Sequence, residues 1–242
     1  MTTQQLPTVA AVAGMIDHAI LKPELTRADV DEALDTAAAH HVFSVCVRPS
    51  DVAHAVDRLE GTGVLVGTVI GFPHGTTSTE AKVAESRQAV ADGAVELDMV
   101  VNVGRLRSGL LDDVEADVRA VVEAAGDLVV KVILETAFLS DDEIVAGSKA
   151  AERAGAAFVK TSTGFAGGGA TLPHLRLMRD AVGEAVQVKA SGGVRGLDTV
   201  LEMLDLGVTR FGTSASGTIL DDLAHRLETG SASGAGDDAT SY

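Results

Sequence analysis

The 242-residue sequence contains a single cysteine, Cys46. A lone thiol excludes an intramolecular disulfide framework and any multi-cysteine zinc or iron–sulfur site, and it fits a reducing, cytoplasmic setting. Positive charge is scarce too, with 19 Lys and Arg against 35 Asp and Glu and a formal charge of −16. A chain of that sign repels phosphate backbones and anionic headgroups, which argues against nucleic-acid and membrane partners. No apolar run approaches the ~18 residues of a membrane span, and no basic region precedes the apolar stretch in MTTQQLPTVAAVAG. The expectation is a mature chain without a leader. What remains is ordinary globular composition, 46% hydrophobic and 22% charged, enough for a packed core.

Eight short runs rich in β-branched residues recur at 16–20, 42–47, 64–70, 95–100, 129–134, 156–161, 186–190 and 209–212. Between them apolar residues return at helical spacing, as at Val114, Val118, Val121 and Ala125, or Leu197, Val200, Leu201 and Leu204. Eight helices are predicted. Thr26 with Asp29, Thr77 with Glu80 and Ser140 with Glu143 read as capping boxes that satisfy free N–H groups at helix starts. Gly93, Gly155 and Gly207 each separate a helix from a strand, where a left-handed cap belongs. Eight strand–helix units with no hydrophilic break predict an α/β fold, a single-domain (β/α)8 TIM barrel over 1–228. Residues 229–242 are Gly, Ser and Asp rich without apolar periodicity and read as a flexible tail.

Catalytic groups of such barrels sit at the C-terminal ends of the strands. The sixth strand ends in FVKTSTG and the seventh reads VQVKASGG, placing Lys160 and Lys189 at similar heights on neighbouring strands. Each lysine alone would snorkel to solvent or pair with a carboxylate. Strand parity, with Lys160 on the face of Phe158 and Ser162 and Lys189 on that of Gln187 and Ser191, permits the two to meet. A lysine of pKa ~10.4 is neutral only about 0.04% of the time at pH 7, so a nucleophilic amine needs a lowered pKa. A second ammonium ~4 Å away costs about 4 kcal/mol at an effective dielectric of ~20, equivalent to about 3 pKa units. Lys160 is therefore read as the attacking amine and Lys189 as the charged neighbour. Asp98, within the apolar run AVELDMVVN, is read either as an ion-pair partner of a barrel lysine or as a proton carrier. Asp17 in IDHAILKP ends the first strand similarly and is read as a supporting charge partner. Lys131 lies near the start of its strand and is set aside; Glu135 is given a background role.

The loops after strands six, seven and eight supply Gly164, Gly192, Gly193, Gly212 and Ser214, open N–H groups and a hydroxyl suited to a phosphate. Such contacts act at short range, so the net negative charge does not veto an anionic substrate. The seven histidines form no ligand cluster and no metal is expected; His18 should face away from Asp17. Cys46 in VFSVCVR reads as a small buried thiol.

Taken in order, IDHAILKP, FSVCVRP, VIGFPHG, ELDMVVNVG, VKVILET, FVKTSTGF, VKASGGVR and RFGTSAS resemble the deoxyribose-phosphate aldolase family over nearly the whole chain. The resemblance implies a (β/α)8 barrel and a class I aldolase with no cofactor. Such an enzyme reversibly cleaves 2-deoxy-D-ribose 5-phosphate to glyceraldehyde 3-phosphate and acetaldehyde in deoxyribose catabolism. It implies Lys160 as Schiff-base lysine, Lys189 as the cation tuning it, Asp98 as proton carrier, and Thr163 beside them. Gly164, Gly192, Gly193 and Ser214 match the phosphate loops, and a homodimer or tetramer is implied. The sequence departs at Ala19, where members commonly carry Thr, and at Phe165, where some carry Lys. Tyr242, the one tyrosine, is read as a tail residue able to fold over the barrel mouth and assist proton transfer. Two rivals remain at this stage: a phosphate-binding isomerase or synthase working without an imine, and a catalytically silent sugar-phosphate-binding barrel.

Overall fold

The computed structural model describes residues 6–230, so Tyr242 and nearly all of 229–242 lie outside the described residues. Eight parallel strands close into a barrel in sequence order: β1 (Ile16–Ile20), β2 (Ser44–Val47), β3 (Leu65–Ile70), β4 (Glu96–Val100), β5 (Val129–Ile133), β6 (Phe158–Lys160), β7 (Gln187–Ser191) and β8 (Arg210–Thr213). Each predicted run overlaps one of these strands, and β7 and β8 each extend one residue past the end of their run. Their outward faces, with Val45, Leu97, Val132, Val159 and Val188, pack into one apolar core beneath the helices. The inward faces carry the unusual content, because Asp17, Glu96, Asp98, Lys131, Lys160 and Lys189 are all buried. Register sets them side by side: Asp98 pairs with Lys131, and Lys160 with Lys189, in adjoining strands.

Ten α-helices surround the barrel among the described residues: α1 (Val9–Ala13), α2 (Arg27–Ala39), α3 (Val52–Leu59), α4 (Thr79–Ala91), α5 (Val103–Arg107), α6 (Leu111–Ala125), α7 (Asp141–Arg153), α8 (Leu172–Ala181), α9 (Leu197–Leu204) and α10 (Ser216–Thr229). Two more than expected appear because α1 and α5 span five residues each, too short to show a period. The last helix ends at Thr229, one residue past the expected domain boundary. Capping boxes form at Thr26 with Asp29 and at Ser140 with Glu143. The third does not form where expected. Ser78, not Thr77, caps α4, accepting from the Ala81 N–H at 3.3 Å. Consecutive hydroxyl residues in TTSTE make the position ambiguous by pattern, and backbone geometry decides it. Gly93, Gly155 and Gly207 have φ of 98°, 91° and 82°, the left-handed conformation expected after a helix.

Among the described residues, one fully buried ion pair lies outside the barrel. Lys82 of α4 donates to Asp117 of α6 at 2.6 Å and to the carbonyl of Val100 at 2.9 Å. It fastens two helices to the C-terminal end of β4, two residues beyond Asp98.

Candidate active site

The barrel interior holds a compact charge cluster. Lys160 and Lys189 each donate to the same carboxylate oxygen, Oδ2 of Asp98, at 2.7 Å. The two nitrogens therefore lie within twice that distance of one another. The other oxygen of Asp98 accepts from Lys131 at 2.8 Å. Lys189 also donates to Asp17, whose second oxygen accepts from Ser44 and from Arg210, both at 2.8 Å. Below these, Glu96 accepts from Lys131 at 2.7 Å and from Arg210 at 3.1 Å. The Arg210 guanidinium lies over the Phe43 ring, 3.7 Å from its centroid, and closes the layer.

Charge counting sets the state of the one amine left over. Asp17, Glu96 and Asp98 are three carboxylates; Lys131, Lys189 and Arg210 are three cations. With Lys160 neutral the cluster balances, and with Lys160 protonated a buried site carries an excess charge, which a low-dielectric interior disfavours. The pKa directions agree. Burial, with Lys189 adding to it, lowers the pKa of Lys160 against the opposing pull of Asp98. Burial also acts on Lys189, yet the carboxylates of Asp17 and Asp98 outweigh it and raise the pKa. Burial would raise Asp98, but Lys131, Lys160 and Lys189 hold it well below the ordinary carboxylate value. From sequence, the neighbouring ammonium is the expected cause of a lowered Lys160. In the folded chain, loss of water contributes more and the ammonium adds to it. Of the two strand-end lysines, Lys160 retains the greater exposure, 3% against 0% for Lys189.

Lys131, set aside because it lies near the start of its strand, is a full member of the cluster. Its long side chain runs up the barrel axis to reach Asp98, so its backbone height misled. Arg210 and Glu96 were missed for the same reason. Glu135 also does more than fill background. It sits in a left-handed conformation at φ 57°, and its buried carboxylate accepts from the Thr163 hydroxyl and from the Thr163 N–H at 3.2 Å. Burial raises its pKa. This clamp fixes the TSTG turn that follows Lys160.

Of the residues expected to hold phosphate, Gly164, Gly192 and Gly193 have φ of 88°, 78° and 75° and turn the backbone at the barrel mouth. The loop after β6 is stitched onto the β7 turn, the Ala170 N–H donating to the carbonyls of Ser191 at 3.1 Å and Gly192 at 3.0 Å. Ser214 is exposed beyond β8, just ahead of α10, whose first turn has no side-chain cap. Gly212 lies elsewhere. It is inside β8, where an added Cβ would meet Ser191 Cβ at 3.0 Å and Lys189 Cε at 3.3 Å, so it makes room for the lysine. His18 faces outward, 2.7 Å from Ser216, and burial holds it down at about 4. Cys46 is buried inside the barrel, its thiol pushed up to about 11 by burial and by Asp98.

Residues 11–234 match the DeoC/LacD family aldolase profile. The chain is 51% identical over 211 residues to the deoxyribose-phosphate aldolase of Staphylococcus haemolyticus, covering 87% of this chain and 96% of that one. The chain belongs to the deoxyribose-phosphate aldolase family. Among solved structures of the family, one from Coccidioides immitis, provisionally given that enzyme name, superposes with a TM-score of 0.88 at 42% identity, over 91% of this chain and 88% of that one. The deoxyribose phosphate aldolase of Aeropyrum pernix, described as tetrameric, gives 0.83 at 28% identity, over 93% and 94%. As a family member the chain is an aldolase, a lyase by reaction class, and no described helix is long and apolar enough to cross a membrane.

Proposed function

We propose that this aldolase reversibly cleaves 2-deoxy-D-ribose 5-phosphate to D-glyceraldehyde 3-phosphate and acetaldehyde through a Schiff base on Lys160, serving the breakdown of deoxyribose units. The observation that carries the reading is the pair of amines on one Asp98 oxygen, with Lys160 lowered and Lys189 raised in pKa. The neutral Lys160 amine adds to C1 of the open-chain sugar. Asp98, in contact with both amines, takes the proton from the adding nitrogen and returns one to the carbinolamine oxygen, which leaves as water. The resulting iminium accepts the electron pair of the C2–C3 bond as that bond breaks. The C3 hydroxyl loses its proton and becomes the aldehyde of glyceraldehyde 3-phosphate. Protonation of the enamine at its terminal carbon and hydrolysis of the imine then release acetaldehyde and restore Lys160.

Lys189 stays charged and holds Asp98 and Asp17 in place. Gly164, Gly192, Gly193 and Ser214 supply donors for the phosphate, with Thr163 set by Glu135. The Aeropyrum pernix tetramer supports a homo-oligomeric assembly here. Borohydride reduction in the presence of acetaldehyde tests the covalent step. Wild-type chain should be irreversibly modified at Lys160 and lose activity. Lys160→Ala should escape labelling at that position and fall by several orders of magnitude in cleavage rate; full activity in that variant would defeat the assignment.

A further inference from the structure

At the barrel mouth a cavity of about 230 Å³ lies between the β1–α2 loop and the ends of β6 and β8, lined by His18, Lys22, Asp29, Thr163, Phe165 and Ser214 among others. Three of these residues are titratable, and two are already committed. His18 is held neutral at ordinary pH by burial and is bonded to Ser216. The Asp29 carboxylate accepts from the Thr26 N–H at 2.7 Å and the Thr26 hydroxyl at 2.6 Å as the cap of α2. Lys22 differs: among the described residues its ammonium has no carboxylate partner, although the chain carries far more acids than bases.

The loop beneath Lys22 is built rather than loose. Arg48, at the end of β2, directs one guanidinium nitrogen at three carbonyls of that loop, donating to those of Lys22 and Pro23 at 3.2 Å and of Leu25 at 3.1 Å. Its Nε is anchored on Asp51 at 2.6 Å. The backbone that carries Lys22 is thus fixed at the mouth, which lowers the entropy lost when the side chain engages a ligand. The same cavity is lined by the hydroxyl of Ser214, which follows β8 beside β1, and by the apolar ring of Phe165, which brings no charge. A dianion entering this cavity meets one uncommitted cation, and it is on β1's loop rather than on the loops after β6, β7 or β8.

The geometry points to Lys22 as a specificity-determining residue that pairs with the terminal phosphate of the sugar in the cavity it shares with Ser214 and selects phosphorylated over neutral substrates. This deepens the activity proposed above and rests on it for the identity of the sugar, though not for the anion site itself. An ammonium–phosphate hydrogen bond of the charge-assisted kind supports about 30-fold discrimination.

The test compares wild type with Lys22→Met and Lys22→Arg on 2-deoxyribose 5-phosphate and on 2-deoxyribose, with melting temperature as the folding control. Lys22→Met should raise KM for the phosphorylated sugar about 30-fold with little change in kcat, so that the preference for the phosphorylated over the neutral sugar falls by the same factor. Lys22→Arg, which keeps the charge, should recover most of that preference. Equal losses on both sugars, or an unchanged KM for the phosphorylated one, overturns the assignment. Inorganic phosphate titrated into each protein, followed by phosphorus NMR line broadening, gives a readout independent of turnover. Phosphate binding weakened by Lys22→Met supports the site even if the wild type cleaves neither sugar, a result that would sink only the proposed activity. Equal phosphate binding by both proteins, or none by either, overturns the site.

Discussion

Lys160 is under opposing influences, and each can be removed separately. Asp98 raises its pKa and Lys189 lowers it. Asp98→Asn should therefore move the acid limb of the kcat/KM profile to lower pH, and Lys189→Leu should move it to higher pH. Asp98→Asn should in addition lower the plateau by about a hundredfold or more, the scale of a lost proton carrier. A pH series of cleavage rates on both variants checks the two directions. His18 makes a second prediction at this scale, on stability. Folded His18 is held at about 4 against an ordinary 6.5, so between those values the unfolded chain binds a proton that the folded chain does not. Stability is complete above the ordinary value and falls as pH drops through this window, by about 3 kcal/mol at 1.36 kcal/mol per unit. Urea unfolding of wild type and His18→Gln at pH 7 and pH 4 should give a shallower pH dependence in the variant by about that amount.

At the scale of single elements, the start of α4 is the sharpest test. Ser78→Ala should cost about 1 kcal/mol, the usual loss of a helix cap, and Thr77→Ala should cost little. Thermal melts of the two variants distinguish them. This element also illustrates what can be read from sequence. The strands were legible because β-branched runs and flanking glycines mark them, and Lys160 and Lys189 were legible because short motifs put them at strand ends. The cap was displaced by one residue because TTSTE offers a hydroxyl at every step. Lys131 and Arg210 were not legible as members of the cluster. A strand position fixes where a Cα lies and which face its side chain takes, but a lysine or arginine reaches several ångströms along the barrel axis. Glu135 was underrated because its role depends on a left-handed backbone and on a partner 28 residues away, Thr163.

For the whole molecule, a surface and interior of different character share one chain. The formal charge of −16 belongs mostly to exposed acids, while the barrel interior balances three carboxylates against three cations when Lys160 is neutral. The closed strand order leaves no sheet edge, so a route to Lys160 must come along the axis. Beneath the lysines that axis is stoppered by Lys131 and Arg210, with Phe43 against the guanidinium. The site is a blind alley with a single door. For the cleavage proposed, the two-carbon fragment stays bonded at the dead end until the larger phosphate-bearing piece has cleared the exit. Departure is thereby queued, and steady-state inhibition should reveal it: acetaldehyde competes with the sugar phosphate for the empty enzyme, whereas glyceraldehyde 3-phosphate gives mixed inhibition.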